Sequence, residues 1–71
     1  MGNITLVSGP NRGSLQVDPD ATVADIRRRF QSAYEISDRA SVTINGVLAS
    51  DDDYVNDGDK ITFAKTSGEK G

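Results

Sequence analysis

The side chains that could do chemistry are concentrated at Asp51, Asp52, Asp53, Asp57 and Asp59. Clustered carboxylates are the raw material of a hard-cation site, which needs several oxygens at defined spacing. Counting an EF-hand loop from Asp51 puts Val55 at the fifth ligand position and Asn56 where the loop requires glycine, so that register fails. The segment reads instead as a solvated acidic loop or a docking surface for a basic partner, and Asp51, Asp52 and Asp53 are partner-binding candidates. Gly9–Ser14 is a second place to look, because glycine-rich loops cradle phosphates. A phosphate loop needs G-x-x-x-x-G-K-[ST] between a strand and a helix. Here the glycines stand one residue too close, lysine is missing, and a strand follows.

Arg27-Arg28-Arg29 looks like a basic patch along the chain. On a helix, successive side chains are about 100° apart, so the three splay over different faces. Arg28 is expected to point away from the core, with Arg27 and Arg29 flanking it and their aliphatic stems shielding the core edge. The chain contains no Cys and no His, which removes disulfides, thiolate ligands and the usual general base. With no perturbable carboxylate pair either, the reading is non-enzymatic, with no cofactor and no metal. A chain this small is also expected to lack a ligand pocket of ~300 Å³ or more.

The 71 residues allow one domain, which buries about 60% of the surface its unfolded chain exposes. The net charge of −3 argues against nucleic acid. No apolar run approaches the ~20 residues a spanning helix needs, and no signal peptide opens the chain. Met1-Gly2 does not make a myristoylation site, because Leu6 stands where serine or threonine is required. The expectation is a soluble cytoplasmic monomer.

The elements that must position these residues follow from periodicity. Asn3–Ser8 alternates, with Ile4 and Leu6 on one face. Gly9–Gly13 suits a five-residue hairpin loop, and Ser14–Asp18 alternates again with Leu15 and Val17 inward. Thr22 is an N-cap and Asp25 completes a capping box, with Ala21 and Ile26 at the hydrophobic-staple positions. Val23, Ile26, Phe30 and Ala33 or Tyr34 then form one helical stripe through Tyr34. After a connector over 35–39, in which Ile36 tucks under, Ala40–Ile44 is a strand with Val42 and Ile44 inward. Asn45-Gly46 is a type I′ turn signal, and Val47-Leu48 returns from it. Ser50–Tyr54 leaves the sheet, Val55 re-enters the core, and Asp57-Gly58-Asp59 turns into a last strand, Lys60–Lys65.

Strand, strand, helix, strand, short strand, strand is the order of an α+β β-grasp, ubiquitin-like fold. It implies a mixed sheet of four to five strands with the helix packed across it and the first and last strands parallel at the centre. The expected core is Ile4, Leu6, Leu15, Val17, Val23, Ile26, Phe30, Val42, Ile44, Leu48, Val55, Ile61 and Phe63. Residues 1–65 form the domain, and 66–71 form a flexible polar tail. Outward residues Thr5, Thr43, Thr62 and Lys65 are the candidates if the sheet face binds a partner.

Val42-Thr-Ile-Asn-Gly-Val47, a spacer, then Val55-Asn-Asp-Gly-Asp-Lys-Ile61 resembles the second half of ubiquitin-like sulfur carriers of the ThiS and MoaD type. The resemblance covers about 42–63, and similar segments recur in other β-grasp modules such as TGS domains. It implies a carrier whose terminal Gly-Gly enters an activating enzyme, is adenylated and takes up sulfur as a thiocarboxylate. This chain ends Thr66-Ser-Gly-Glu-Lys-Gly71, so a carrier role would fall on Gly68 or Gly71. Two readings stand. One is a protein-binding module using its sheet face, an edge strand or the acidic loop. The alternative is a carrier or protein modifier acting through its C-terminal glycine.

Overall fold

The computed structural model describes residues 2–36 and 40–64. Lys65, Gly68 and Gly71 lie outside the described residues, as do the rest of the tail and part of the connector. Five strands and one helix follow in order: β1 (Gly2–Ser8), β2 (Asn11–Val17), α1 (Val23–Tyr34), β3 (Ser41–Ile44), β4 (Val47–Ala49) and β5 (Lys60–Ala64). The sheet order is β2-β1-β5-β3-β4, with β1 and β5 parallel at the centre and the other neighbours antiparallel. This is the β-grasp arrangement that the order of elements predicts.

The first hairpin is tighter than the sequence suggests. Ser8 pairs with Asn11, so only Gly9 and Pro10 form the loop, not Gly9–Gly13. Gly9 takes φ 61°, and Pro10 cannot follow with a second positive φ, which leaves the type II′ geometry. Gly13 is left inside β2 for a packing reason. A Cβ there would stand 2.5 Å from the Tyr34 hydroxyl oxygen. The second hairpin is as expected, with Asn45 at φ 55° and Gly46 at φ 86°.

The helix begins as read. The Thr22 side chain accepts from Asp25 N, and the Asp25 carboxylate accepts from Thr22 N at 3.1 Å. It ends at Glu35, which adopts a left-handed cap at φ 54° and donates its N–H to the Gln31 and Ser32 carbonyls. Val23 and Ile26 are fully buried, Phe30 and Tyr34 are half-buried, and Ala33 is exposed, so Tyr34 completes the stripe. Phe30 and Tyr34 meet edge to face, with centroids 6.0 Å apart.

Ile4, Leu6, Val17, Val42, Val55, Ile61 and Phe63 join them in the core, with Ile36 beneath the connector. Leu48 does not, being 76% exposed. The two-residue turn sets Ile44 opposite Val47 and Thr43 opposite Leu48, so the alternation turns Leu48 outward. Val47 has the inward parity, but at the sheet edge it too stays exposed.

Candidate functional site

The outward face of the sheet is built by register. Val7 pairs with Arg12 on one side and Thr62 on the other, Thr62 pairs with Thr43, and Thr43 pairs with Leu48. Arg12, Val7, Thr62, Thr43 and Leu48 thus form a row across all five strands. A second row runs Ser14, Thr5, Lys60. The sequence-derived candidates Thr5, Thr43 and Thr62 are all on this face and half-buried. Sequence reasoning missed Val7 and Leu48 as surface residues. The available signal was parity: Val7 alternates with inward Leu6, and Leu48 is the second residue after a two-residue turn.

The acidic loop is tied to the helix. The Asp53 carbonyl accepts from Val23 N and the Asp51 carbonyl from Ala24 N, each at 3.0 Å. Those are N-terminal helix amides with no partner inside the helix. The Asp53 carboxylate accepts from Ser50 N at 2.9 Å, closing the loop on itself. The Asp51 carboxylate meets Arg27 Nη2 at 2.9 Å. Asp52 is exposed and makes no hydrogen bond or ion pair with any described residue. Of the three candidates, Asp51 and Asp53 support the fold, and Asp52 is the carboxylate left for solvent or a partner.

The arginine run divides as the helical geometry requires. The Arg28 side chain is 76% exposed, with Asp25 at 4.0 Å. Arg27 is drawn inward: it donates to the Ala40 carbonyl at 3.3 Å and lies over the Phe63 ring at 5.0 Å. Arg29 stands over Phe30 at 5.5 Å. The stems of Arg27 and Arg29 therefore cover the core edge.

The Asp-Gly-Asp segment is likewise spent on structure. The Asp57 carboxylate accepts from Asn3 N at 2.8 Å, and Gly58 N donates to the Asn3 carbonyl at 2.8 Å. Asp59 accepts from Asn56 N at 2.8 Å and from Asn45 Nδ2 at 2.9 Å. These contacts fasten the entry to β5 against the start of β1 and the β3–β4 turn.

The expectation that so small a fold lacks a pocket is overturned. A cavity of about 540 Å³ opens at the C-terminal ends of the parallel β1 and β5. Its floor is Ser8, Ala40 and Phe63, all buried, and its walls include Pro10, Tyr34 and Ala64.

The element order and sheet topology are those of the ubiquitin-like β-grasp fold. No protein-family model matches the sequence, and no curated protein does. Solved structures match closely in backbone. Small archaeal modifier protein 1 from H. volcanii superposes with TM-score 0.75 at 19% identity, over 92% of this chain and 98% of that one. A ubiquitin from Caldiarchaeum subterraneum gives TM-score 0.74 at 25% identity, over 99% and 98%. A molybdopterin converting factor, subunit 1, from Pyrococcus furiosus gives 0.75 at 14%, over 92% and 98%. The likeness to ThiS/MoaD-type proteins read from 42–63 therefore extends, as fold, over nearly the whole chain.

Proposed function

We propose that this small ubiquitin-like protein is a non-enzymatic interaction module that binds a protein partner. The supporting observation is the outward row Arg12, Val7, Thr62, Thr43, Leu48, in which an exposed leucine and two threonines stand side by side on the open face. The short edge strand β4 carries the Leu48 end of the row, and Asp52 on the acidic loop and Lys65, which lies outside the described residues, are further candidate contacts. Arg12 and Lys60 are the charged residues on these two rows, and both are cationic in a chain of net charge −3. The face thus suits an apolar segment with acidic flanks.

The test is cross-linking in cells of the source organism followed by recapture with purified variants. Thr43→Glu and Leu48→Asp should each abolish capture, and Asp52→Lys should weaken it little. Capture that survives both face variants and is lost with Asp52→Lys would move the interface to the loop.

A second reading is a sulfur carrier or modifier working through Gly68 or Gly71, with an activating enzyme as partner. Its support is the fold-level likeness to a modifier and a molybdopterin converting factor subunit over 92% of the chain. Intact mass spectrometry of the protein from its own cells separates the two. A terminus at either glycine with sulfur in place of oxygen, or a conjugate, establishes the carrier; a single unmodified mass removes it.

A further inference from the structure

Asn45-Gly46 carries a chemistry that its role in the β3–β4 turn does not use. A backbone nitrogen can attack the side-chain carboxamide of an asparagine that precedes it, and a glycine leaves that nitrogen unshielded. Of the asparagines at 3, 11, 45 and 56, Asn45 alone precedes glycine. Asn3 is followed by Ile4, Asn11 by Arg12 and Asn56 by Asp57, whose side chains crowd the approach. Asn45 and Gly46 are both exposed, so water and base reach them. The carboxamide is nevertheless held. Its Nδ2 donates to Asp59 Oδ1 and its Oδ1 accepts from Lys60 N, each at 2.9 Å. Asp59 is itself anchored, since its carboxylate accepts from Asn56 N at 2.8 Å and its N–H donates to the Asn56 carbonyl at 3.0 Å. These bonds hold the carboxamide against the start of β5, whereas the attack needs its Cγ turned onto Gly46 N.

We propose that Asn45 is a deamidation site gated by this clasp: it is inert while Asp59 and Lys60 hold the carboxamide, and it reacts when they let go. In the step, Gly46 N gives its proton to base and bonds to Asn45 Cγ. The Cγ–Nδ2 bond breaks, and the amide nitrogen takes up a proton and leaves as ammonia. Water then opens the cyclic imide at either carbonyl, which leaves aspartate or isoaspartate at 45. No electrons are transferred, and water and base are the co-reactants. Neither product can remake the clasp. Aspartate sets a carboxylate where the amide donated to Asp59, so like-charge repulsion replaces a hydrogen bond. Isoaspartate carries the main chain through the side-chain carbon and lengthens a turn whose two residues fix the register of β4. Either change loosens the pairing that sets Thr43 opposite Leu48. The clasp thus protects the turn from its own sequence, and an opening event is recorded in the covalent structure.

The test follows residue 45 by peptide mapping in the full 71-residue chain, kept at mildly alkaline pH either folded or unfolded in urea. In urea, Asn45 should convert to aspartate and isoaspartate well ahead of Asn3, Asn11 and Asn56. In the folded protein it should convert far more slowly. Asp59→Ala should speed the folded protein about fivefold or more, the worth of one hydrogen bond to the carboxamide, and leave the rate in urea unchanged. Val23→Ala opens a cavity at the buried start of the helix and weakens the whole fold, so it separates release of the clasp from global unfolding. It should leave the folded rate near that of the parent. Asn45→Asp stands in for the aspartate product and should unfold at lower urea than the parent, with part of the deficit removed by added salt. Equal rates in the folded and unfolded chain, or no conversion in urea, would overturn the assignment. So would an Asp59→Ala rate equal to the parent's, or an acceleration by Val23→Ala that matches it. An Asn45→Asp chain as stable as the parent would overturn the repulsion argued for the product.

Discussion

Asn45 clasps Asp59 across two turns: its Nδ2 donates to Asp59 Oδ1 at 2.9 Å while its Oδ1 accepts from Lys60 N at 2.9 Å. The same asparagine holds φ 55° in the β3–β4 turn, and its own N–H donates to the Lys60 carbonyl. One residue thus sets the hairpin and fixes where β5 begins. The Asn-Gly and Asp-Gly-Asp pieces of the sequence, separated by residues 47–56, are two halves of one fastening. That is the physical reason this pattern reports a fold and not a chemistry.

Removing either half should therefore cost stability without changing any surface used for binding. Asn45→Gly keeps the positive φ and deletes the amide; Asp59→Ala deletes the carboxylate. Each should lower the unfolding free energy by about 1–2 kcal/mol, with the bonds partly screened by solvent. The double variant should lose less than the sum, with a coupling of at least about 0.5 kcal/mol. Urea denaturation of the four proteins measures the cycle, and strict additivity would show that the clasp contributes nothing.

Elements governed by neighbours in sequence were legible in advance. The capping box at Thr22 and Asp25, the Asn45-Gly46 turn and the helical stripe are local devices, and each is found in place. The misreadings share a cause. Gly13 looks like a turn residue, but its role is to let Tyr34 pack, and only tertiary structure brings that ring near. Leu48 looks like core because it is leucine, yet parity from the turn outranks composition. Asp51 and Asp53 look like free charges, while the helix start they serve lies far off in sequence. The cavity leaves no sequence trace, since its lining comes from β1, the first turn, the end of α1, Ala40 and β5, which only the tertiary fold brings together. Which surface residues serve the candidate site was visible only as far as strand parity reached.

The close approach at Gly13 makes a second prediction. A Cβ there would meet the Tyr34 hydroxyl oxygen at 2.5 Å, so one of them must move. The oxygen is at the far end of a side chain that can rotate, so Gly13→Ala should cost only about 1 kcal/mol. Tyr34→Phe in the same chain should recover most of it. Thermal unfolding of the single and double variants decides, and no recovery would place the strain in the backbone of β2.

Arg27 should be worth more than an exposed ion pair. Its side chain is 16% exposed, and it joins Asp51, the Ala40 carbonyl and the Phe63 ring in one arrangement. Arg27→Ala should destabilise by about 2 kcal/mol, combining the pair, the ring contact and lost packing. Arg28→Ala, whose side chain is 76% exposed, should stay within about 0.5 kcal/mol of the parent. Equal effects at the two positions would return Arg27 to the solvated face.

The register of β4 can be tested on two adjacent residues with opposite expectations. Leu48 faces outward beside Thr43, whereas Ala49 pairs with Val42 on the inward face and packs against the core. Leu48→Asp should leave stability within about 0.5 kcal/mol, because a leucine 76% exposed gives up little burial. Ala49→Asp should cost about 2 kcal/mol or more, since it brings a carboxylate toward the apolar face of the sheet. A strand slipped by one residue would invert the two results, because every side chain then changes face. Chemical denaturation of both variants distinguishes the registers. The outcome also bears on function: only with Leu48 outward does the row from Arg12 present an apolar end to a partner.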